Sequence, residues 1–163
     1  MSVHIETMTR EAREPVIDIL NHYIRNSFAA YPEEEVPYAA FEMLEKMRGG
    51  HPGVVAKEER GEVVAFGFLR PHSPFPTFAA TAEISYFVRD GHTNQGIGGR
   101  MLEALVRQGK DKGITTILAS ISSLNDGSIR FHKRNGFVEC GRFKQVGRKK
   151  GQTFDVVWMQ KMI

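Results

Sequence analysis

The chain has 163 residues, of which 41% are hydrophobic and 25% charged, with a formal charge of +3. That length suits one domain (1–163) with a sizeable core, the small charge gives no ground for nucleic-acid binding, and no apolar run is long enough to span a bilayer. The lone Cys140 excludes an internal disulfide framework, and Met1 to Glu6 lacks the basic-then-apolar pattern of a secretion signal, so the expected setting is the cytoplasm.

Val3 to Met8 alternates as a first strand, and Arg10 to Asn26 carries a helical stripe at Val16, Ile17, Leu20, Tyr23 and Ile24, with Pro15 near its start. A polar loop, Tyr31 to Pro37, leads to a second helix over Ala39 to Met47, closed by Gly49-Gly50. Val54-Val55-Ala56 and Val63-Val64-Ala65-Phe66 flank Glu59-Arg60-Gly61-Glu62 as a hairpin. A proline-rich loop, Pro71 to Thr77, precedes a long strand over Phe78 to Val88. The spacing then predicts a helix from Gly99 to Lys112, a strand from Thr115 to Ile121 and a helix from Asp126 to Asn135 stopped by Gly136. Phe137 to Val146 and Thr153 to Met162 close the chain as two strands turning at Lys149-Lys150-Gly151. Hairpin-joined strands are antiparallel, and the strand–helix–strand step should be a right-handed parallel crossover. The expected fold is therefore α/β: a twisted, mixed, mostly antiparallel sheet of about seven strands with helices on both faces.

The most informative segment is Gln95-Gly96-Ile97-Gly98-Gly99-Arg100, between the long strand and the helix that follows it. Glycines allow a large anion close to the main chain, and the first turn of a helix offers N–H groups without internal partners, a cradle for phosphate or diphosphate. A Walker A loop is excluded because no Gly-Lys-Ser/Thr follows. A dinucleotide fingerprint fits poorly, because Arg89 to Gln95 intervene and no acid ends the next strand. Downstream, Asn125 is a helix-capping residue, and Ser128 and His132 share one face of the helix it opens. Ligands of parallel strands lie at their carboxyl ends, so the glycine loop and these three residues should surround one cleft.

Together these segments resemble the GNAT superfamily of acetyl-coenzyme A-dependent N-acetyltransferases. The family's Gln/Arg-x-x-Gly-x-Gly/Ala reads here Thr93-Asn94-Gln95-Gly96-Ile97-Gly98, with threonine at its head. Its second signature reads Asn125, Ser128, His132, Gly136-Phe137, with histidine where many members carry tyrosine. That histidine, with Asn21-His22-Tyr23, Gly67, Ala82 to Val88 and Asp155-Val156-Val157-Trp158, resembles the phosphinothricin and methionine-sulfone acetyltransferase branch. Phe87 stands where the family's Glu-x-Ser-Val-Tyr-Val has tyrosine, and the loop after Arg70-Pro71-His72 is longer than the branch's acceptor loop.

The resemblance implies acetyl-coenzyme A as cosubstrate, no metal, a small primary amine as acceptor, direct transfer in a ternary complex, and a homodimer. Amides of Phe87 and Val88 would bind the pantetheine arm, those of Gln95, Gly96, Ile97, Gly98, Gly99 and Arg100 the diphosphate, and Asn125 and Ser128 would line the cofactor. Glu83, a carboxylate in an otherwise apolar strand, is the candidate general base. His132 is the candidate acid or proton relay for the thiolate. Arg70, Phe28, Phe78 and Phe154 are the acceptor-site candidates. Cys140 reads as a small core residue, and the basic run Arg142 to Lys150 as a solvated face. Three rivals remain: acetylation of a protein or peptide N-terminus, a non-catalytic coenzyme A sensor and, more distantly, a nucleotide-binding module.

Overall fold

A computed structural model describes residues 2–163. Seven strands, β1 (Val3–Thr7), β2 (Gly53–Glu58), β3 (Val63–Pro71), β4 (Thr81–Val88), β5 (Thr116–Ser122), β6 (Val138–Lys149) and β7 (Gln152–Met162), form one sheet in the order β1-β2-β3-β4-β5-β7-β6. Four helices join them: α1 (Arg13–Asn26), α2 (Ala40–Arg48), α3 (Ile97–Asp111) and α4 (Asp126–Arg134). Among the described residues only β4 and β5 are parallel, as the crossover through α3 requires; every other neighbouring pair is antiparallel. The mixed, mostly antiparallel sheet read from the sequence is thus the observed one.

Helices cover both faces because strand side chains alternate. On one face, Met101, Leu102 and Leu105 of α3 pack on Val54, Leu69, Ile84 and Ile117. On the other, Val16 and Ile17 of α1 and Phe41 of α2 pack on Val55, Phe66 and Phe68. Each such buried aliphatic or aromatic side chain contributes about 1.5–3 kcal/mol. The polar loop after α1 is pinned by buried Asn21, whose amide donates to the Val36 carbonyl and accepts its N–H, both at 2.9 Å.

Four local expectations are corrected. Phe78 is not in the strand; prolines shape residues Pro76–Phe78 into a 3-10 turn and β4 begins at Thr81. α3 starts at Ile97, two residues before Gly99, because Gly96 at φ 80° supplies the turn into it. Cys140 is exposed rather than core, since β6 is the sheet edge. Lys149 is buried rather than solvated; its ammonium donates to the carbonyls of Ser27 (2.7 Å) and Ala30 (2.6 Å), tying the β6–β7 turn to the end of α1.

Candidate active site

The parallel pairing of β4 with β5 is short: Thr81↔Thr116, Ala82↔Ile117 and Glu83↔Leu118. Beyond that rung the two strands part, because β3 holds β4 as far as Val88 and β7 holds β5 as far as Ser122. The gap opens into a cavity of about 740 Å³ lined by both strand ends, the loop before α3 and the start of α4.

The phase of the β3–β4 ladder decides which amides face this gap. Arg89 N–H donates to Val64 and His72 N–H to Thr81, so the odd-numbered residues of β4 bond to β3. Phe87's N–H is thereby committed to the sheet. Val88 and Tyr86 turn their main-chain groups toward the gap instead, and the Tyr23 hydroxyl donates to the Val88 carbonyl. Of the expected amide pair, Val88 has the stated orientation and Phe87 does not.

At the mouth of the cavity lie Gly96, Ile97, Gly98 and Gly99. Gly96 caps α3, and the Arg100 N–H is already bonded to its carbonyl at 3.1 Å. The unpartnered first-turn donors are therefore those of Ile97, Gly98 and Gly99. The side chains of Gln95 and Arg100 point away: Gln95 Nε2 donates to the Gly91 carbonyl, and the Arg100 guanidinium to the Val3 carbonyl at 2.7 Å. The remaining donors and the glycine approach fit a diphosphate.

Deeper in the cavity wall is His132, 4% exposed. Its Nδ1 lies 2.7 Å from the Ser128 carbonyl and 3.3 Å from the Ser128 hydroxyl. A carbonyl only accepts, so Nδ1 carries the proton and Nε2 is an acceptor. The Tyr86 hydroxyl fills that acceptor at 2.6 Å. Burial lowers the pKa of His132 and raises that of Tyr86, so both stand neutral. Asn125 accepts the Ser128 N–H at 3.2 Å as the α4 cap, which leaves its amide nitrogen free to donate into the cavity.

Glu83 sits at the closed end of the gap, on the last shared rung, and not in the cavity wall itself. Its strand is apolar, but its carboxylate is not isolated. Arg70 donates to Oε1 and His72 Nδ1 to Oε2, each at 2.9 Å. Phe78 packs edge-on against His72. Phe154 is buried, with Phe28 edge-on to it and Tyr31 stacked on it, and the Tyr31 hydroxyl lies 3.2 Å from Ser120 in the cavity wall.

Residues 16–137 match the Acetyltransferase (GNAT) family. The chain belongs to that family and is an N-acetyltransferase. It is 33% identical over 147 residues to an L-methionine sulfoximine/L-methionine sulfone acetyltransferase of Pseudomonas aeruginosa, covering 89% of this chain and 86% of that one. The crystal structure of a ribosomal-protein-alanine N-acetyltransferase from Brucella melitensis superposes at TM-score 0.91 and 32% identity, over 98% of this chain and 99% of that one. A phosphinothricin acetyltransferase from Sinorhizobium meliloti, solved in complex with acetyl-coenzyme A, superposes at TM-score 0.93 and 25% identity, over 100% and 89% of the two chains.

In this acetyltransferase, Phe87, Val88, Gly96, Ile97, Gly98, Gly99, Asn125, Ser128 and His132 line one cavity. Glu83, Arg70, Phe28, Phe78, Phe154, Gln95 and Arg100 do not line it. Sequence reasoning missed Tyr86 and the pairing of His72 with Glu83. The signal for Tyr86 was present: the hydroxyl that the family motif carries at position 87 stands one residue earlier here, on the opposite face of β4. No sequence signal joins His72 to Glu83, because cross-strand register brings them together.

Proposed function

We propose that the enzyme transfers the acetyl group of acetyl-coenzyme A to the primary amine of a small amino-acid-like molecule, such as methionine sulfone, methionine sulfoximine or phosphinothricin, by direct transfer in a ternary complex. The observation that carries this reading is the alignment of free donors: Ile97, Gly98 and Gly99 at the cavity mouth, and the open main-chain edge of Tyr86 and Val88 in its wall. A diphosphate at the first and a pantetheine arm along the second would bring a thioester to the closed end of the gap, beside Glu83. The acetyl-coenzyme A complex of the Sinorhizobium relative supports the same cosubstrate.

There, a preorganised amide at the thioester oxygen contributes about 3 kcal/mol to the transition state. The cluster built on Glu83 receives the ammonium proton, and the Tyr86 hydroxyl meets the departing sulfur by turning its single hydrogen away from His132 Nε2. Phe28 and Phe154 shape the acceptor side together with Tyr31, while Arg70 is the cation available to an acceptor carboxylate. The single cysteine accords with a reducing, cytoplasmic setting.

The Brucella relative, named for a ribosomal-protein alanine, favours a second reading in which the acceptor is a peptide N-terminus. Titration calorimetry with acetyl-coenzyme A, followed by thiol release across methionine sulfone, methionine sulfoximine, phosphinothricin and peptide amines, tests both. Saturable binding and preferred turnover of the free amino acids are expected. Failure of acetyl-coenzyme A to associate overturns the reading outright, and preferred turnover of peptides selects the second.

A further inference from the structure

The cluster at the closed end of the gap holds an imidazole that the cofactor-side chemistry leaves unused. His72 follows β3 directly, and its N–H bonds to the Thr81 carbonyl at 3.3 Å, which sets the backbone across from β4. Its Nδ1 faces Glu83 Oε2 at 2.9 Å, and Glu83 is fixed from its other side by Arg70 at 2.9 Å. The Phe78 ring, edge-on with centroids 6.0 Å apart, steadies the imidazole. An ionised carboxylate only accepts, so Nδ1 carries the hydrogen and Nε2 has its lone pair free; no hydrogen bond from Nε2 to a described residue is present. This carboxylate-oriented imidazole is the arrangement of a general base held in one tautomer.

Placement agrees with that chemistry. Glu83 lies on the same face of β4 as Ser85, which lines the cavity, and on the last rung before β4 and β5 separate. Both oxygens of Glu83 already accept hydrogen bonds, and its side chain is only 14% exposed. His72 is 35% exposed, so a proton it takes has a route to water.

We propose that His72 Nε2, not the Glu83 carboxylate, removes the proton from the acceptor ammonium, with Glu83 as the residue that positions His72. This rests on the acetyl-transfer reading above. In the step, one N–H bond of the ammonium breaks and an Nε2–H bond forms. The freed nitrogen lone pair attacks the thioester carbonyl carbon and the C–S bond breaks. The nitrogen's second proton ends on sulfur, and the imidazolium proton passes to water, leaving amide and free thiol. The charged groups facing His72 are Glu83 on β4 and Arg70 on β3; the turn before β4 contributes only Phe78.

The test compares wild type, His72→Ala, His72→Asn and Glu83→Gln in acetyl-coenzyme A calorimetry and in kcat/KM against pH with the best amine of the panel. General-base loss lowers kcat/KM by about 10²–10⁴-fold. We expect that loss in both His72 variants with unchanged acetyl-coenzyme A affinity, and partial, concentration-dependent recovery of His72→Ala by added imidazole. Glu83→Gln should also lower kcat/KM but add no further loss when combined with His72→Asn, because a positioning residue acts only through the imidazole. Near-wild-type kcat/KM in both His72 variants overturns the assignment to His72, as does an acid limb abolished by Glu83→Gln but untouched by His72→Asn. A wild-type enzyme without turnover on any amine overturns the acetyl-transfer reading itself and this inference with it.

Discussion

Tyr86 and His132 form a neutral pair in which each satisfies the other. Removing the Tyr86 hydroxyl leaves a buried imidazole nitrogen without a donor, which costs about 1–3 kcal/mol. Tyr86→Phe should therefore lower thermal stability, and turnover at saturating acetyl-coenzyme A should fall with it. Wild-type turnover in that variant, read by thiol release, refutes the hydroxyl's place at the sulfur. The same pair sets a pH dependence. Burial holds the His132 pKa below its ordinary value near 6.5, so the unfolded chain binds more protons than the native one below that pH. The stabilisation is complete above about pH 6.5 and is lost as pH falls toward the depressed native value. Urea titrations between pH 7 and 5 should show stability declining with acid, and His132→Gln should flatten that part of the slope.

The strands succeed or fail as elements by how closely they approach. Gly67 faces Tyr86 across the β3–β4 ladder, and a Cβ there would lie 2.7 Å from the Tyr86 Cβ. Gly67→Ala must push β4 or the Tyr86 ring aside, an overpacking cost of about 1–3 kcal/mol. A chain of this size should then lose roughly 2–4 °C in Tm per kcal/mol. An unchanged melting curve would show that the ladder yields freely there. Periodicity made these elements readable: the α1 stripe lies within the helix, the β2–β3 hairpin turns between Glu58 and Val63, and α4 opens at Asp126 after its capping Asn125, although β3 runs on to Pro71, past the expected Phe66. Boundaries set by packing were not readable. Proline conformation keeps Phe78 out of β4, and the first free amides of α3 are those of Ile97 to Gly99 because helix bonding begins at Arg100.

For the molecule as a whole, sheet order leaves β6 as an edge with Val138, Phe143 and Val146 at 67%, 60% and 59% exposure. An exposed edge strand carrying such apolar side chains among its charged ones can pair with another chain. The homodimer implied by the family resemblance is proposed to form along it. Sedimentation of the wild type should give a dimer, and Phe143→Lys with Val146→Glu a monomer; a wild type that sediments as a monomer refutes the arrangement.

Local chemistry was legible in the chain because it is written in neighbouring residues: glycines before a helix, a capping Asn125 with Ser128 and His132 at helical spacing, alternating apolar runs. Those determined the sheet-and-helix class, the glycine loop proposed to cradle a diphosphate and one wall of the cavity. The remaining features depend on partners distant in sequence. Whether the amide of Phe87 or of Val88 is free follows from the phase of the ladder with β3, and whether Glu83 stands alone follows from the rung that faces it with Arg70 and sets His72 beside it. Register turns on a single residue of slip, which reverses every side chain and every amide along a strand, so only the assembled sheet could decide which groups meet.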